Sequence, residues 1–156
     1  MQSTATDTRF AAAGGPAASE FQDAVLGFVR EFGLQRSDTT PCGMPMSISQ
    51  AHALTELAAP GGLTQSELGA ALNLSKSTVS RLVGQLQERG WIDRDRGRYE
   101  DGRIVQLTLT TSGKRLAATV ADARHTRLTR LLDRIPKAEQ PAVVRALRTL
   151  TKAANE

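Results

Sequence analysis

The sequence predicts a mainly α fold with a small β wing (α+β), and three observations support this fold class. Apolar residues recur with helical spacing along most of the 156-residue chain. Two short helical segments between Thr64 and Arg89 are separated by Asn73, a residue that tolerates the left-handed backbone of a tight turn. Two strand-like runs, residues 91–94 and 104–109, follow and are joined by a connection that contains glycine. The pattern indicates a helix-turn-helix with a β-hairpin wing, combined with further helices.

The composition limits the classes to consider. The length suits one compact domain per chain, and the formal charge of +4 permits nucleic-acid binding without requiring it. No apolar run approaches the roughly 18 residues of a membrane span. A single cysteine, Cys42, excludes an intrachain disulfide framework, so we expect a cytosolic protein. Residues 1–18 carry Asp7 and Arg9 where a secretory signal needs an apolar core, and we predict a flexible N-terminal tail.

The helices that precede the turn unit have recognisable ends. Ser19 can cap the first helix. Its apolar stripe is formed by Phe21, Ala24, Val25, Phe28, Val29 and Phe32. We predict that this stripe packs in the core or in a subunit interface, although it could also border a cavity. Ser47 or Ser49 opens the next helix, which runs through Leu57 before residues 60–62 break it.

Two helices joined by a tight turn are predicted next. Thr64 is an N-cap with Glu67 three residues later, which is a capping box, and this helix should run through Leu72. After Asn73, Ser75 can cap a second helix that ends near Arg89. The apolar stripe of the second helix consists of Val79, Leu82, Val83 and Leu86. Its opposite face is small, hydroxylic and basic, and carries Ser75, Lys76, Ser77, Thr78, Ser80 and Arg81. A helix that enters a major groove about 12 Å wide needs such side chains near its N-terminus.

The segment after Gly90 predicts the wing. Residues 96–103, between the two strand-like runs, contain two glycines, alternating charge and several arginines, which suits an exposed hairpin tip. Residues 63–113 resemble the winged helix-turn-helix of the MarR family of bacterial transcription regulators. The family's wing signature is Asp-x-Arg, five variable residues, then Leu-Thr. The matching residues are Asp101, Arg103, Leu109 and Thr110, and residues 74–83 are similar to the family's recognition helix.

The resemblance implies roles for the wing residues. Arg103 would enter the minor groove, where a narrow groove concentrates negative potential, and Asp101 would help to fix the wing conformation. Arg94 falls where the family usually has arginine, and together with Arg98 it completes the expected DNA-binding set. The alternative is that Asp101 and Arg103 form a solvated turn pair, which would contribute about 0 to 1 kcal/mol to stability.

The C-terminal part predicts helices that need a partner. Thr110 or Thr111 caps a helix to about Ile135, and a last helix covers residues 138–154 with Pro141 in its first turn. A helix of roughly 26 residues is about 39 Å long, more than a compact domain of this size needs. The resemblance implies a two-fold homodimer on a palindromic operator. The expected regions are a tail (1–18), a first dimerisation helix with its connection (19–46), the winged helix-turn-helix (47–110) and C-terminal dimerisation helices (111–156).

Other chemistry has little support in the sequence. With two histidines and one thiol, we expect no metal site, no cofactor and no catalysis. Relatives that respond to small aromatic or phenolic compounds suggest by analogy a ligand pocket near Phe28, Phe32, Met44, Met46 and His52, although ordinary packing would also use these residues. We favour a core or interface role for His52. Cys42 is expected to be inert, with a redox role as the alternative.

These observations predict a DNA-binding transcription regulator. We expect a homodimer that binds a palindromic operator sequence-specifically, acts as a repressor and is released by a small molecule. Two alternatives remain open at this point. One is a winged-helix adaptor that binds another protein, and the other is a thiol- or metal-responsive regulator that uses Cys42.

Overall fold

The computed structural model describes residues 16–95 and 105–155. Within these ranges the chain forms six helices and three short strands. In chain order they are α1 (Pro16–Phe32), α2 (Ile48–Leu57), β1 (Leu63–Thr64), α3 (Gln65–Ala71), α4 (Lys76–Glu88), β2 (Ile92–Asp95), β3 (Gln106–Leu109), α5 (Thr111–Leu132) and α6 (Gln140–Ala153). The fold class is the predicted one, mainly α with a small β wing. No helix in the described part of the chain is both long enough and apolar enough to cross a membrane.

The first helix belongs to a separate unit that ends at Gln35. It begins at Pro16, three residues before Ser19, the predicted N-cap, so the predicted start was wrong. Proline is favourable in a first helical turn, because its fixed φ suits the helix and the missing N–H has no partner there. Phe28 and Phe32 stack on this helix with ring centroids 5.2 Å apart. The predicted stripe is therefore present, and Phe28 has 46% of its surface exposed within the chain.

The second unit begins at Arg36 and is built around a three-stranded antiparallel sheet of order β1-β3-β2. In β2 and β3, Ile92 pairs with Leu109 and Arg94 with Leu107. The sequence predicted both strands, each about one or two residues displaced from its observed bounds. It did not predict β1, because a two-residue strand has no alternation to recognise. Because β1 pairs with β3, it connects the start of the helix-turn-helix to the base of the wing.

The hydrophobic core of this unit lies between α2, α3, α4, the sheet and the first half of α5. Its largest fully buried side chains are Leu54, Leu68, Val83, Leu86, Ile92, Leu107 and Val120. The stripe predicted on α4 is buried throughout, with Val79, Leu82, Val83 and Leu86 all in the core. Because this face packs inward, the opposite face of α4 is presented to solvent.

The second half of α5 and the whole of α6 lie outside the core. Thr110 caps α5, as predicted, but the helix ends at Leu132 and not near Ile135. The amide of Gln140 donates to the carbonyl oxygens of Leu132 and Ile135, each at 3.1 Å, which satisfies the end of the helix. With 22 residues, α5 is about 33 Å long. α6 also starts two residues later than predicted and buries none of its side chains within the chain.

Candidate DNA-binding surface

The helix-turn-helix begins with the predicted capping box. Thr64 Oγ1 accepts the backbone N–H of Glu67 at 3.2 Å, and the Glu67 carboxylate accepts the Thr64 backbone N–H at 2.7 Å. The Thr64 hydroxyl also donates to this carboxylate, at 2.8 Å. The bond from the Thr64 backbone, followed by the bond from its hydroxyl, holds the pKa of Glu67 below its ordinary value of 4.5. The ionised carboxylate thus stabilises the start of α3.

The turn between α3 and α4 has the predicted conformation. Asn73 has a φ of 52°, the left-handed region that asparagine tolerates. Ser75 then caps α4, and its Oγ accepts the Thr78 backbone N–H at 3.3 Å. The Ser75 hydroxyl also lies 3.2 Å from Ser77 Oγ and 2.9 Å from Thr78 Oγ1. Three hydroxyl groups therefore cluster at the N-terminus of α4, the predicted recognition helix, where the helix dipole is positive.

The exposed face of α4 carries the residues that the sequence assigned to DNA. Of this set, Ser75, Lys76, Ser77, Ser80 and Arg81 are exposed, and Thr78 is half-buried. Val79, between Thr78 and Ser80, is 3% exposed and fixes the rotation of the helix. The result is a surface of short hydroxyl side chains with two cations, attached to a rigid helix. Such a surface can donate and accept hydrogen bonds at base edges and can bind phosphate.

The base of the wing is described, but its tip is not. Arg94 is exposed on β2, where it pairs with Leu107 of β3. Arg98, Asp101 and Arg103 lie outside the described residues, so their predicted contacts with the minor groove stay predictions.

The last two residues of the wing signature have structural roles. Leu109 is 8% exposed and belongs to the core. Thr110 Oγ1 donates to the Gly90 carbonyl at 2.8 Å and accepts the Gly113 backbone N–H at 3.0 Å. One hydroxyl therefore joins the end of α4, the wing and the start of α5. This arrangement fixes the base of the wing relative to the recognition helix.

The chain is similar in sequence to known transcription regulators. A model of the MarR family matches residues 43–104. An uncharacterised HTH-type transcriptional regulator of Mycobacterium leprae is 30% identical over 107 residues, which are 69% of this chain and 71% of that protein. The chain belongs to the MarR family. As a MarR-family member it is a transcription regulator that binds DNA.

Solved structures share this MarR fold. Staphylococcus aureus MepR, solved in complex with DNA, superposes with a TM-score of 0.70 at 23% identity, and the match covers 85% of this chain and 97% of MepR. The PcaV regulator of Streptomyces coelicolor, solved with its natural ligand, superposes with a TM-score of 0.63 at 25% identity, and the match covers 96% of this chain and 99% of PcaV.

The residues proposed for an effector pocket occupy different environments in this MarR-family chain. Phe28 and Phe32 belong to the unit that ends at Gln35. Met46 is 3% exposed and packs in the core of the second unit, with Met44 half-buried against that core. His52 is exposed, so a place in the core of the chain is excluded for it, and the interface role stays a prediction.

Cys42 has a hydrogen-bonding neighbour that the sequence did not indicate. Its Sγ lies 3.0 Å from Thr40 Oγ1, within a tight turn in which the Gly43 backbone N–H donates to the Thr40 carbonyl at 2.9 Å. Thr40 is buried, and its hydroxyl also accepts the Met44 backbone N–H at 3.0 Å. The thiol itself is half-buried. The redox role of Cys42 stays a prediction.

Sequence reasoning missed three contacts that support the surface, and two of them join distant parts of the chain. The guanidinium of Arg89 lies 4.9 Å from the ring centroid of Trp91, which links the end of α4 to the wing. Arg124 donates to Thr55 Oγ1 at 2.7 Å and joins α5 to α2. Gln50 of α2 donates to the side chain of Gln85 on α4. Spacing along the sequence contains no signal for the two distant pairs.

Proposed function

We propose that the protein is a homodimeric repressor that recognises a palindromic operator and is released from it by a small aromatic or phenolic molecule. The observation that supports this most directly is the recognition helix, with its buried stripe on one side and its hydroxyl and basic side chains on the other. The protein acts in the cytoplasm, where bacterial DNA lies.

Contacts with DNA divide between base edges and phosphates. Arg81 is exposed in the middle of α4, and its planar guanidinium suits the two acceptors of a guanine edge. Lys76 and the hydroxyls of Ser75 and Ser77 lie at the helix N-terminus, which suits phosphate oxygens. Arg94 extends this positive surface onto the wing. Arg98 and Arg103 are proposed to continue it into the minor groove, with Asp101 holding the wing tip.

Dimerisation is supported by apolar side chains that the single chain leaves exposed. On α5 and α6 these are Leu128, Leu132, Val144, Leu147 and Leu150, with between 38% and 51% of their surface exposed. Residues 144, 147 and 151 line one groove along α6. Exposed apolar side chains at helical spacing favour burial against another helix. A two-fold dimer would place the recognition helices about 34 to 36 Å apart, on successive major grooves.

Repression follows from occupancy alone. A dimer that spans two major grooves covers a promoter that overlaps its operator and excludes the polymerase. Release by a ligand needs differential affinity between two spacings of the winged units, and a coupling of about 1 to 3 kcal/mol changes DNA affinity roughly 5- to 150-fold. PcaV was solved with a natural ligand, which supports a ligand response in a protein of this fold. The candidates for that contact stay those named from the sequence, which are Phe28, Phe32, Met44, Met46 and His52.

The test is a DNA-binding titration with two arginine variants. A duplex enriched by the wild-type protein from a randomised pool is compared with a scrambled duplex over a range of salt concentrations. We expect Arg81→Ala to weaken binding to the enriched duplex by about 1 to 3 kcal/mol and to reduce its advantage over the scrambled duplex. Arg134→Ala is the matched control, because Arg134 is exposed beyond the C-terminal end of α5, a helix about 33 Å long that starts at the wing.

Two results would contradict the proposal. If the wild-type protein enriches no duplex, sequence-specific binding is wrong. If Arg81→Ala and Arg134→Ala bind alike while both stay folded, the exposed face of α4 does not read DNA, and an adaptor role for the winged unit gains support.

A further inference from the structure

A hydrogen bond between two glutamine side chains joins α2 to the recognition helix. Gln50 Nε2 donates to Gln85 Oε1 at 3.2 Å, although the residues are 35 positions apart. Gln50 is 6% exposed, so its amide has little contact with water. The bond is partly buried, so an amide that loses this partner regains only part of the interaction from water, and the loss is costly. The bond therefore favours one placement of α4 on α2.

The other end of the Gln50 amide is fixed to the N-terminus of α2. Its Oε1 accepts the backbone N–H of Ser47 at 3.1 Å, and Ser47 Oγ accepts the backbone N–H of Gln50 at 3.2 Å. These bonds form a capping box. Because Oε1 bonds to Ser47, Nε2 is the part of the amide that faces α4. The amide cannot turn without breaking both the capping box and the bond to Gln85.

Gln85 lies in the same row of α4 as residues proposed to read bases. It follows Arg81 by four residues and Thr78 by seven, and this spacing aligns side chains along one side of a helix. All three residues, together with Ser47 and Ser49, line a groove between the N-terminus of α2 and the recognition helix. Gln85, the residue that bonds to Gln50, therefore lies one helical turn after Arg81 on α4.

We propose that Gln50 is a positioning residue for DNA recognition, whose amide fixes the rotation of α4 so that Thr78 and Arg81 meet base edges in one register. The inference rests on the proposed function, because it requires α4 to read operator bases. Gln50 acts through Gln85 and does not contact DNA. Hydrogen bonds to bases are directional, so a rotation of α4 weakens them, whereas contacts with phosphate tolerate a larger displacement.

The test is a double-substitution cycle in the full-length chain. Gln50→Met and Gln85→Met each remove one partner and keep an unbranched, helix-forming side chain. The probes are a duplex enriched by the wild-type protein from a randomised pool and a scrambled duplex, at one salt concentration. We expect each variant to bind the enriched duplex about fivefold more weakly, the factor for one hydrogen bond of ordinary net strength. Binding to the scrambled duplex should change by less than about twofold.

The combined variant separates a shared bond from two independent effects. Once either partner is gone the bond is gone, so the double variant should also lose about fivefold, whereas independent effects would multiply to about 25-fold. Gln50→Glu is the rescue variant. Its carboxylate still accepts the Ser47 N–H, and the Gln85 amide can turn to donate to it, so binding should stay near that of the wild type.

Gln140→Met is the matched control for loss of a capping glutamine. This substitution removes the amide that bonds to the carbonyls of Leu132 and Ile135, at the end of α5 opposite the wing. It should leave the preference for the enriched duplex unchanged. Thermal unfolding checks that each variant is folded. If Gln50→Met fails to fold, Gln85→Met carries the test, because Gln85 is exposed and its loss leaves the capping box intact.

The outcomes distinguish this inference from the proposed function. If no duplex is enriched, both are wrong. If a duplex is enriched and the methionine variants bind it as the wild type does, or their losses multiply in the double variant, the positioning role is overturned and the proposed function stands.

Discussion

Replacing Gly113 with alanine tests how closely α5 approaches the wing. A Cβ on Gly113 would overlap the backbone carbonyl of Trp91 and lie 3.3 Å from Cδ2 of Leu109. The Trp91 carbonyl is fixed, because it accepts the Thr110 backbone N–H at 3.1 Å. Gly113 is fixed as well, because its N–H donates to Thr110 Oγ1 at 3.0 Å. The added Cβ would therefore clash with fixed backbone atoms of Trp91, and no flexible side chain could move to make room for it.

The magnitude follows from three contributions to the free energy of unfolding. Overpacking of this kind costs about 1 to 3 kcal/mol. Moving α5 away from Trp91 breaks one or two hydrogen bonds, at about 1 kcal/mol each. Alanine in place of glycine in a helix stabilises the folded state by about 1 kcal/mol, which offsets part of this loss. We expect Gly113→Ala to lower the free energy of unfolding by about 1 to 4 kcal/mol.

The assay is urea unfolding at one fixed protein concentration, since a dimer gains stability with concentration. Gly84→Ala is the matched control, because a Cβ at Gly84 in α4 meets no atom within 4 Å. That variant should be more stable than the wild type by up to about 1 kcal/mol. A Gly113→Ala protein as stable as the wild type would refute the close approach of α5 to Trp91.

Three further predictions concern the same unit. Thr110→Val should lower the free energy of unfolding by about 1 to 2 kcal/mol, because both bonds of its hydroxyl are lost; Thr111→Val, at an exposed neighbour, is the control and should have little effect. Leu86→Ala should cost about 2 to 5 kcal/mol in urea unfolding, since Leu86 is fully buried. The lowered pKa of Glu67 means that its stabilisation is present above pH 4.5 and is lost as the pH falls through the folded-state pKa. Glu67→Gln should therefore lose less stability than the wild type between neutral pH and about pH 3, and an equal loss would contradict the role of the carboxylate.

Local signals in the sequence predicted the recognition unit well. The capping box of Thr64 and Glu67 spans four residues, and the left-handed Asn73 is a property of one residue, so both are encoded where they act. The buried stripe on α4 follows from helical periodicity alone. The same periodicity misplaced the end of α5, because Ile135 continues the apolar pattern past Leu132, where the helix ends and the carbonyl accepts a bond from the side chain of Gln140.

Contacts between distant parts of the chain could not be predicted in this way. Gln50 and Gln85 are 35 positions apart, and Arg124 and Thr55 are 69 positions apart. Glutamine and threonine at such positions are compatible with solvent, so their residue types give no sign of a partner. The candidate DNA-binding side chains on α4 could be predicted from the sequence. The periodic apolar stripe shows which side of the helix is buried, and these side chains lie on the other side.

This contrast points to α2 as the element that connects recognition to the rest of the protein. Gln50 and Thr55 are five residues apart, which places their side chains about 140° apart around the helix axis. Gln50 bonds to the recognition helix on one side, and Thr55 accepts a bond from α5 on another. A movement of α5 relative to its partner in the proposed dimer would therefore reach α4 through α2 and not through the wing alone. None of the candidate DNA-binding residues lies on α2. Substitutions in α2 can therefore alter the recognition of DNA although every side chain that contacts DNA is still present.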